Sequence, residues 1–298
     1  MDGALIVNKP SGLTSHDVVA RVRKLSLERS IGHLGTLDPA ARGVLPLLLG
    51  RLTRLAQYFQ GRDKEYEGVI RFGFATDTYD AEGEPTTAVA ARIPNREEIE
   101  ALLPRFRGEI QQVPPPFSAK KVHGVPAYKL ARRDQPVELA PVTVTISAFE
   151  LLALEGDRMR FRAVCSSGGY VRALAHDLGA ALGAGAHLAE LTRTRLGEFS
   201  LADSHPLDAI AGHAAAGTLE EFLLPPLRLL PEFPAVVAPP EAVSRLLHGQ
   251  AANLPEFSRA AMVRVFTPDE RLLAIGRRIA GSLFHPQAVF AGGEAAKS

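Results

Sequence analysis

Apolar positions recur along this chain in short runs whose period changes from segment to segment. Residues 4–7 form an apolar run stopped by Asn8-Lys9-Pro10-Ser11-Gly12, which reads as a strand delivered into a turn. Thr14 and Asp17 have the spacing of a capping box. Val18, Val19, Val22 and Leu25 then repeat on one helical face, with Arg21, Arg23 and Lys24 off it. From 31 to 50 the pattern breaks, because Gly32, Gly35, Gly43 and Gly50 are interspersed with Pro39 and Pro46, so a structured loop is expected there. Alternation over 66–74 predicts a strand, 76–83 a polar turn, and 95–106 a helix. Residues 142–154 and 159–164 predict two strands of a hairpin or meander, and Gly168-Gly169 leads into helical spacing at Val171, Leu174 and Leu178.

Irregular mixing of strand and helix predicts an α+β fold on a mixed, mainly antiparallel sheet. After Phe222 the prolines Pro225, Pro231, Pro234, Pro239 and Pro240 crowd together, which places a boundary near residue 233. The expected division is 1–232 for a large domain and 233–298 for a small β-rich module built on runs at 262–266 and 272–275.

Composition narrows the class. With 46% hydrophobic and 22% charged residues the chain is neither disordered nor fibrous. The amino terminus lacks a basic leader, and no apolar stretch approaches the ~18 residues of a membrane span, so a cytoplasmic protein without membrane contact is expected. Cys165 is the single cysteine, which removes internal disulfides and zinc sites of the Cys-pair kind, and no metal site is expected. Net charge is only +1, but Lys120, Lys121, His123, Lys129, Arg132 and Arg133 form a basic run around Tyr128. Such a run is either a phosphate-tracking surface or a solvated helix face.

The segment Gly32-His33-Leu34-Gly35-Thr36-Leu37-Asp38-Pro39 sets a histidine, a threonine and an aspartate in a glycine-bounded loop. Spacing alone leaves Asp38 as either an Asx-turn former or a presented carboxylate, and His33 as either a structural donor or a binding group. Neither Ser11-Gly12 nor Ser167-Gly168 supplies the Gly-x-Ser-x-Gly of a serine hydrolase. Gly183-Ala184-Gly185 lacks the third glycine of a dinucleotide loop, so no cofactor is implied.

Taken in order, several blocks resemble the TruB-type tRNA pseudouridine-55 synthases of bacteria. They are Val7-Asn8-Lys9-Pro10-Ser11-Gly12-Leu13-Thr14-Ser15, Gly32 to Pro39 with Gly43-Val44-Leu45-Pro46, Lys64-Glu65-Tyr66, and Thr76-Asp77-Thr78 with Asp80-Ala81-Glu82-Gly83. Pro115-Pro116-Phe117-Ser118-Ala119-Lys120-Lys121, Gly169-Tyr170-Val171-Arg172, and Ala186-His187-Leu188 with Leu191, Arg193 and Gly197 complete the set. The resemblance implies a pseudouridine-synthase catalytic domain over 1–232 with an RNA-gripping insertion at about 114–136, and a PUA-like RNA-binding domain over 233–298. It implies Asp38 as the catalytic carboxylate, Arg172 as its partner buttressed by Tyr170, and Tyr66 stacked on a flipped uracil against Leu191. His33 would fill the space the base leaves, and Lys9 and Lys121 would bind phosphate. The substrate implied is the T stem-loop of tRNA, bound by a monomer needing no cofactor, guide RNA or obligate protein partner. The alternative is a tRNA-folding protein that kept the scaffold without the chemistry.

Overall fold

The computed structural model describes residues 1–118, 120–122, 125–127 and 139–290, and at 121, 122, 125 and 126 the backbone only. In chain order the elements are β1 (Gly3–Lys9), α1 (Ser15–Ser26), β2 (Ile31–His33), β3 (Arg42–Leu49), β4 (Lys64–Phe72), α2 (Arg96–Leu102) and β5 (Gly108–Gln112). The short pair β6 (Lys121–Val122) and β7 (Val125–Pro126) follows, then β8 (Val142–Glu155), β9 (Arg158–Cys165), α3 (Val171–Ala181) and β10 (Ala186–Leu196). Next come β11 (Phe199–Ser200), β12 (His205–Pro206), α4 (Leu207–Ala216) and β13 (Leu223–Leu224). The last elements are β14 (Ala235–Val237), α5 (Pro240–Leu247), β15 (Ala252–Asn253), β16 (Met262–Phe266), β17 (Leu272–Ala280) and β18 (Leu283–Val289). Most of the expected insertion, residues 128–136 above all, lies outside the described residues.

An eleven-stranded sheet carries the large domain in the order β12-β1-β3-β10-β4-β9-β8-β5, with β2, β11 and β13 attached at its margins. Only β1 with β12 and β3 with β10 run parallel, and every other pair is antiparallel. The mixed, mainly antiparallel sheet read from the sequence is thus the observed one. Alternation along β1 sends Leu5 and Val7 to one face, with Val18, Val19 and Val22 of α1, and Ala4 and Ile6 to the other. Both faces are covered here, which is why β1 reads as an unbroken apolar run. Helix α1 begins as expected, with the Thr14 side chain accepting from the Asp17 amide at 3.0 Å and the Asp17 carboxylate accepting from the Thr14 amide at 2.9 Å.

One expectation fails. Residues 31–50 are not a loop, since they hold β2 and β3. Strand β3 lies between β1 and β10, and its proline sacrifices only one amide: the Pro46 carbonyl still accepts from the Leu34 amide at 2.9 Å. The apolar pattern yields no reading of β10, whose Glu190, Arg193 and Arg195 hide a central strand inside a charged-looking stretch.

A separate five-stranded sheet, β14-β16-β17-β18-β15, forms the carboxy-terminal module. It packs Phe266, Leu272, Ile275, Ala288 and Phe290 against the outer face of the large sheet at Leu52, Leu55, Leu229 and Leu230. Polar ties reinforce the joint: Arg51 donates to the Phe290 carbonyl and Arg54 to the Val289 carbonyl, both at 2.9 Å. Arg264, 7% exposed, donates to the Phe233 carbonyl at 2.7 Å, the Leu229 carbonyl at 2.9 Å and the Leu227 carbonyl. Among the described residues no helix is long and apolar enough to cross a membrane.

Candidate active site

Strands β3, β10 and β4 are neighbours, and their register sets Gly43, Arg193 and Tyr66 side by side. Gly43 has φ of +100°, and a Cβ there would stand 2.2 Å from the Arg193 carbonyl oxygen, so only glycine lets the two strands meet. The fully buried Arg193 side chain then donates to the carbonyls of Val44 at 2.8 Å, Gly35 at 2.9 Å and Thr36 at 3.3 Å. A buried guanidinium is tolerable only when its donors are this fully used.

These bonds fix one side of the loop that presents Asp38, and the start of α1 fixes the other. The Ser15 hydroxyl donates to the Leu37 carbonyl at 3.1 Å and accepts from the Leu37 amide at 2.9 Å. The Gly12 amide donates to the Pro39 carbonyl at 2.9 Å. Lys9 completes the clamp, its ammonium donating to the carbonyls of Leu13 at 2.6 Å, Pro10 at 2.9 Å and Pro39 at 3.1 Å. The side chain is fully buried, and burial pulls its pKa down to about 8 against the opposing attraction of Asp38. The Lys9 ammonium, expected to meet phosphate, thus directs its hydrogen bonds at three backbone carbonyls of the protein itself.

Asp38 emerges with its side chain 47% exposed at the mouth of a cavity of about 440 Å³. Tyr66, Tyr170, Arg172 and Leu191 line the same cavity, together with Thr36, Phe117 and Ser118. The Arg172 Nε stands 3.1 Å from Asp38 Oδ2. Its remaining nitrogens reach Asp80 Oδ2 at 3.3 Å, the Thr78 carbonyl at 3.0 Å and the Phe117 carbonyl at 2.9 Å. Arg172, 8% exposed, is thus held from behind by the half-buried Asp80 while it aims Asp38 at the cavity. The Tyr170 backbone is fixed by Gln112, whose side-chain amide donates to its carbonyl at 2.9 Å and accepts from its amide at 2.7 Å.

Tyr66 is 6% exposed, and burial pushes its phenol up to about 12, with the Arg193 guanidinium pulling the other way. It keeps its proton at any working pH and offers a ring and a hydroxyl, not a base. Cys165 behind it is equally inert, its thiol raised by burial to about 11.

One sequence-expected residue stands elsewhere. His33 lines a separate cavity beside α1 with His16, the two rings 5.9 Å apart, and burial lowers its pKa. The Lys121 side chain lies outside the described residues. Sequence reasoning gave no role to Asp80, Gln112, Ser15 or Arg193. Asp80 and Arg193 stand inside the quoted blocks, but nothing in their spacing shows that their charges turn inward.

Residues 23–171 match the model of the TruB family pseudouridylate synthase N-terminal domain, and 172–230 that of the tRNA pseudouridylate synthase B C-terminal domain. The chain belongs to the TruB family. Within that family it is 44% identical over 292 residues to tRNA pseudouridine synthase B of Solibacter usitatus, covering 97% of this chain and 100% of that one. Against the protein of the same name from Ectopseudomonas mendocina it is 45% identical over 279 residues, 93% of this chain and 91% of the relative. Among solved structures, a chain of an H/ACA RNP bound to a substrate RNA containing 2′-deoxyuridine superposes with a TM-score of 0.72 at 25% identity, covering 97% of this chain and 85% of that one. A chain of a Cbf5–Nop10–Gar1 complex gives the same TM-score and coverage at 27% identity. The two TruB family models meet between Val171 and Arg172, so the Asp38–Arg172 pair joins the parts they cover.

Proposed function

We propose that this protein converts uridine to pseudouridine in tRNA, at T-loop position 55, with Asp38 as the catalytic carboxylate. The observation that carries the reading is the Asp38–Arg172 pair at 3.1 Å, set at the mouth of a cavity walled by Tyr66 and Leu191 in a TruB-family chain. The target nucleotide leaves its stack and enters the cavity, where the Tyr66 ring and Leu191 receive the uracil. Asp38 acts in its ionised form, as nucleophile or as base at the ribose. By either route the N1–C1′ bond breaks, a C5–C1′ bond forms, the proton on C5 leaves and N1 gains one, so no oxidant or energy source is consumed. Arg172 pairs with the carboxylate and aims it, and the half-buried Asp80 holds Arg172.

On this reading Tyr170 buttresses the pair, and His33, outside the cavity, occupies the space from which the nucleotide was drawn. Lys121 and its basic neighbours contact phosphate. The five-stranded module after residue 233 serves as a PUA-like RNA-binding unit. The protein works as a cytoplasmic monomer, without cofactor, guide RNA or obligate protein partner.

The test is pseudouridine mapping at single-nucleotide resolution on an unmodified tRNA transcript incubated with purified protein. The wild type should modify position 55, and Asp38→Asn should bind the transcript with little change while losing at least about 10³-fold in rate. Binding without product in the wild type would refute the isomerase reading in favour of an RNA-folding role.

A further inference from the structure

Ser118 lines the cavity, is 4% exposed, and its hydroxyl is buried without a hydrogen-bond partner among the described residues. Buried hydroxyls are ordinarily paired, because an unmade bond in a dry setting is disfavoured. The preceding carbonyl, that of Phe117, accepts from Arg172 Nη2 at 2.9 Å, so Ser118 follows by one peptide the group that ties this segment to the Asp38–Arg172 pair. The Arg172 guanidinium beside it is engaged by two carboxylates and two carbonyls.

The chemistry of the ring says what such a hydroxyl could do. Pseudouridine differs from uridine by exchange of N1 with C5 and of C2 with C4, while N3 and C6 lie on the axis of that exchange. A half-turn of the released uracil about the N3–C6 line therefore swaps its two carbonyls and leaves N3–H where it began. One acceptor facing N3–H keeps its hydrogen bond through the whole turn, which a contact to either carbonyl cannot do.

We propose that Ser118 Oγ accepts the N3–H of the flipped uracil and serves as the pivot on which the released ring turns. This rests on the isomerase reading above. No bond to N3 is made or broken, and the proton balance of the reaction is unchanged.

The test uses the full chain. Ser118→Ala should lower kcat/KM on the tRNA transcript about tenfold, with a Tm equal to or above that of the wild type, because the deleted hydroxyl has no partner in the free protein. In the Asp38→Asn background, which halts turnover, adding Ser118→Ala should weaken binding of a T stem-loop carrying uridine. It should leave unchanged the binding of one carrying 3-deazauridine, whose C–H replaces N3–H. A kcat/KM within twofold of wild type would overturn the proposal, as would an equal loss on both stem-loops, the mark of simple packing. If the wild type forms no pseudouridine, the isomerase reading fails on its own, and the two stem-loops still report whether Ser118 meets N3–H.

Discussion

Lys9 is where burial and charge oppose each other most directly. Its ammonium is out of water yet satisfied by three carbonyls, and its folded pKa of about 8 lies below the ordinary 10.5. A lysine depressed in the folded state gives up its proton there first, so the unfolded chain binds more protons between these values and stability rises with pH. Urea unfolding from pH 8 to 10.5 should show the wild type gaining on Lys9→Met across that window, and parallel curves would remove Lys9 as the titrating group. The sequence could not reveal this, since lysine beside a Pro-Ser-Gly turn reads as a surface cation. Arg193 was hidden for the same reason. Asp38, Tyr66, Tyr170, Arg172 and Leu191, by contrast, were legible through ordered blocks of sequence, and the fold brings all five to one cavity.

At the scale of elements, strands with an uninterrupted apolar or alternating pattern were readable, and two central strands without one were not. Strands β4, β8 and β9 announced themselves by period, whereas β3 was masked by glycine and proline and β10 by charge. The crossing of β3 with β10 is the most demanding contact between elements. Gly43→Ala puts a methyl group where the Arg193 carbonyl stands, at a φ that L-residues avoid. Global stability should fall by about 3 kcal/mol or more, measured by chemical unfolding. A variant as stable as the wild type would mean that the strands can separate without cost. The same substitution should lower activity in whatever fraction stays folded, because Arg193 carries the Gly35 and Thr36 carbonyls with it.

At the scale of the molecule, the joint between the two sheets is a continuous apolar contact with buried polar ties. Arg264→Ala would strand the carbonyls of Leu227, Leu229 and Phe233 without their donor. Calorimetry should show one unfolding transition in the wild type and a lower, broadened or divided one in the variant. An unaltered single peak would show that the arginine is dispensable to the coupling. In the sequence this stretch showed only a crowd of prolines. They carried no information about the joint's rigidity, which comes from Arg51, Arg54 and Arg264 reaching across it.

The clamp on the Asp38 loop has a consequence for synthesis. Its holders come from the end of β1, the start of α1 and the middle of β10, and Arg193 bonds to Gly35 across 158 residues of chain. Closing so long a loop is entropically slow, and contacts of this range form late in folding. At about 5–20 residues per second, a ribosome spends many seconds between delivering Asp38 and delivering the arginine that seats it. The nascent chain thus carries Asp38 long before the loop acquires its shape, and the cavity is complete only when β10 slides into the middle of the sheet.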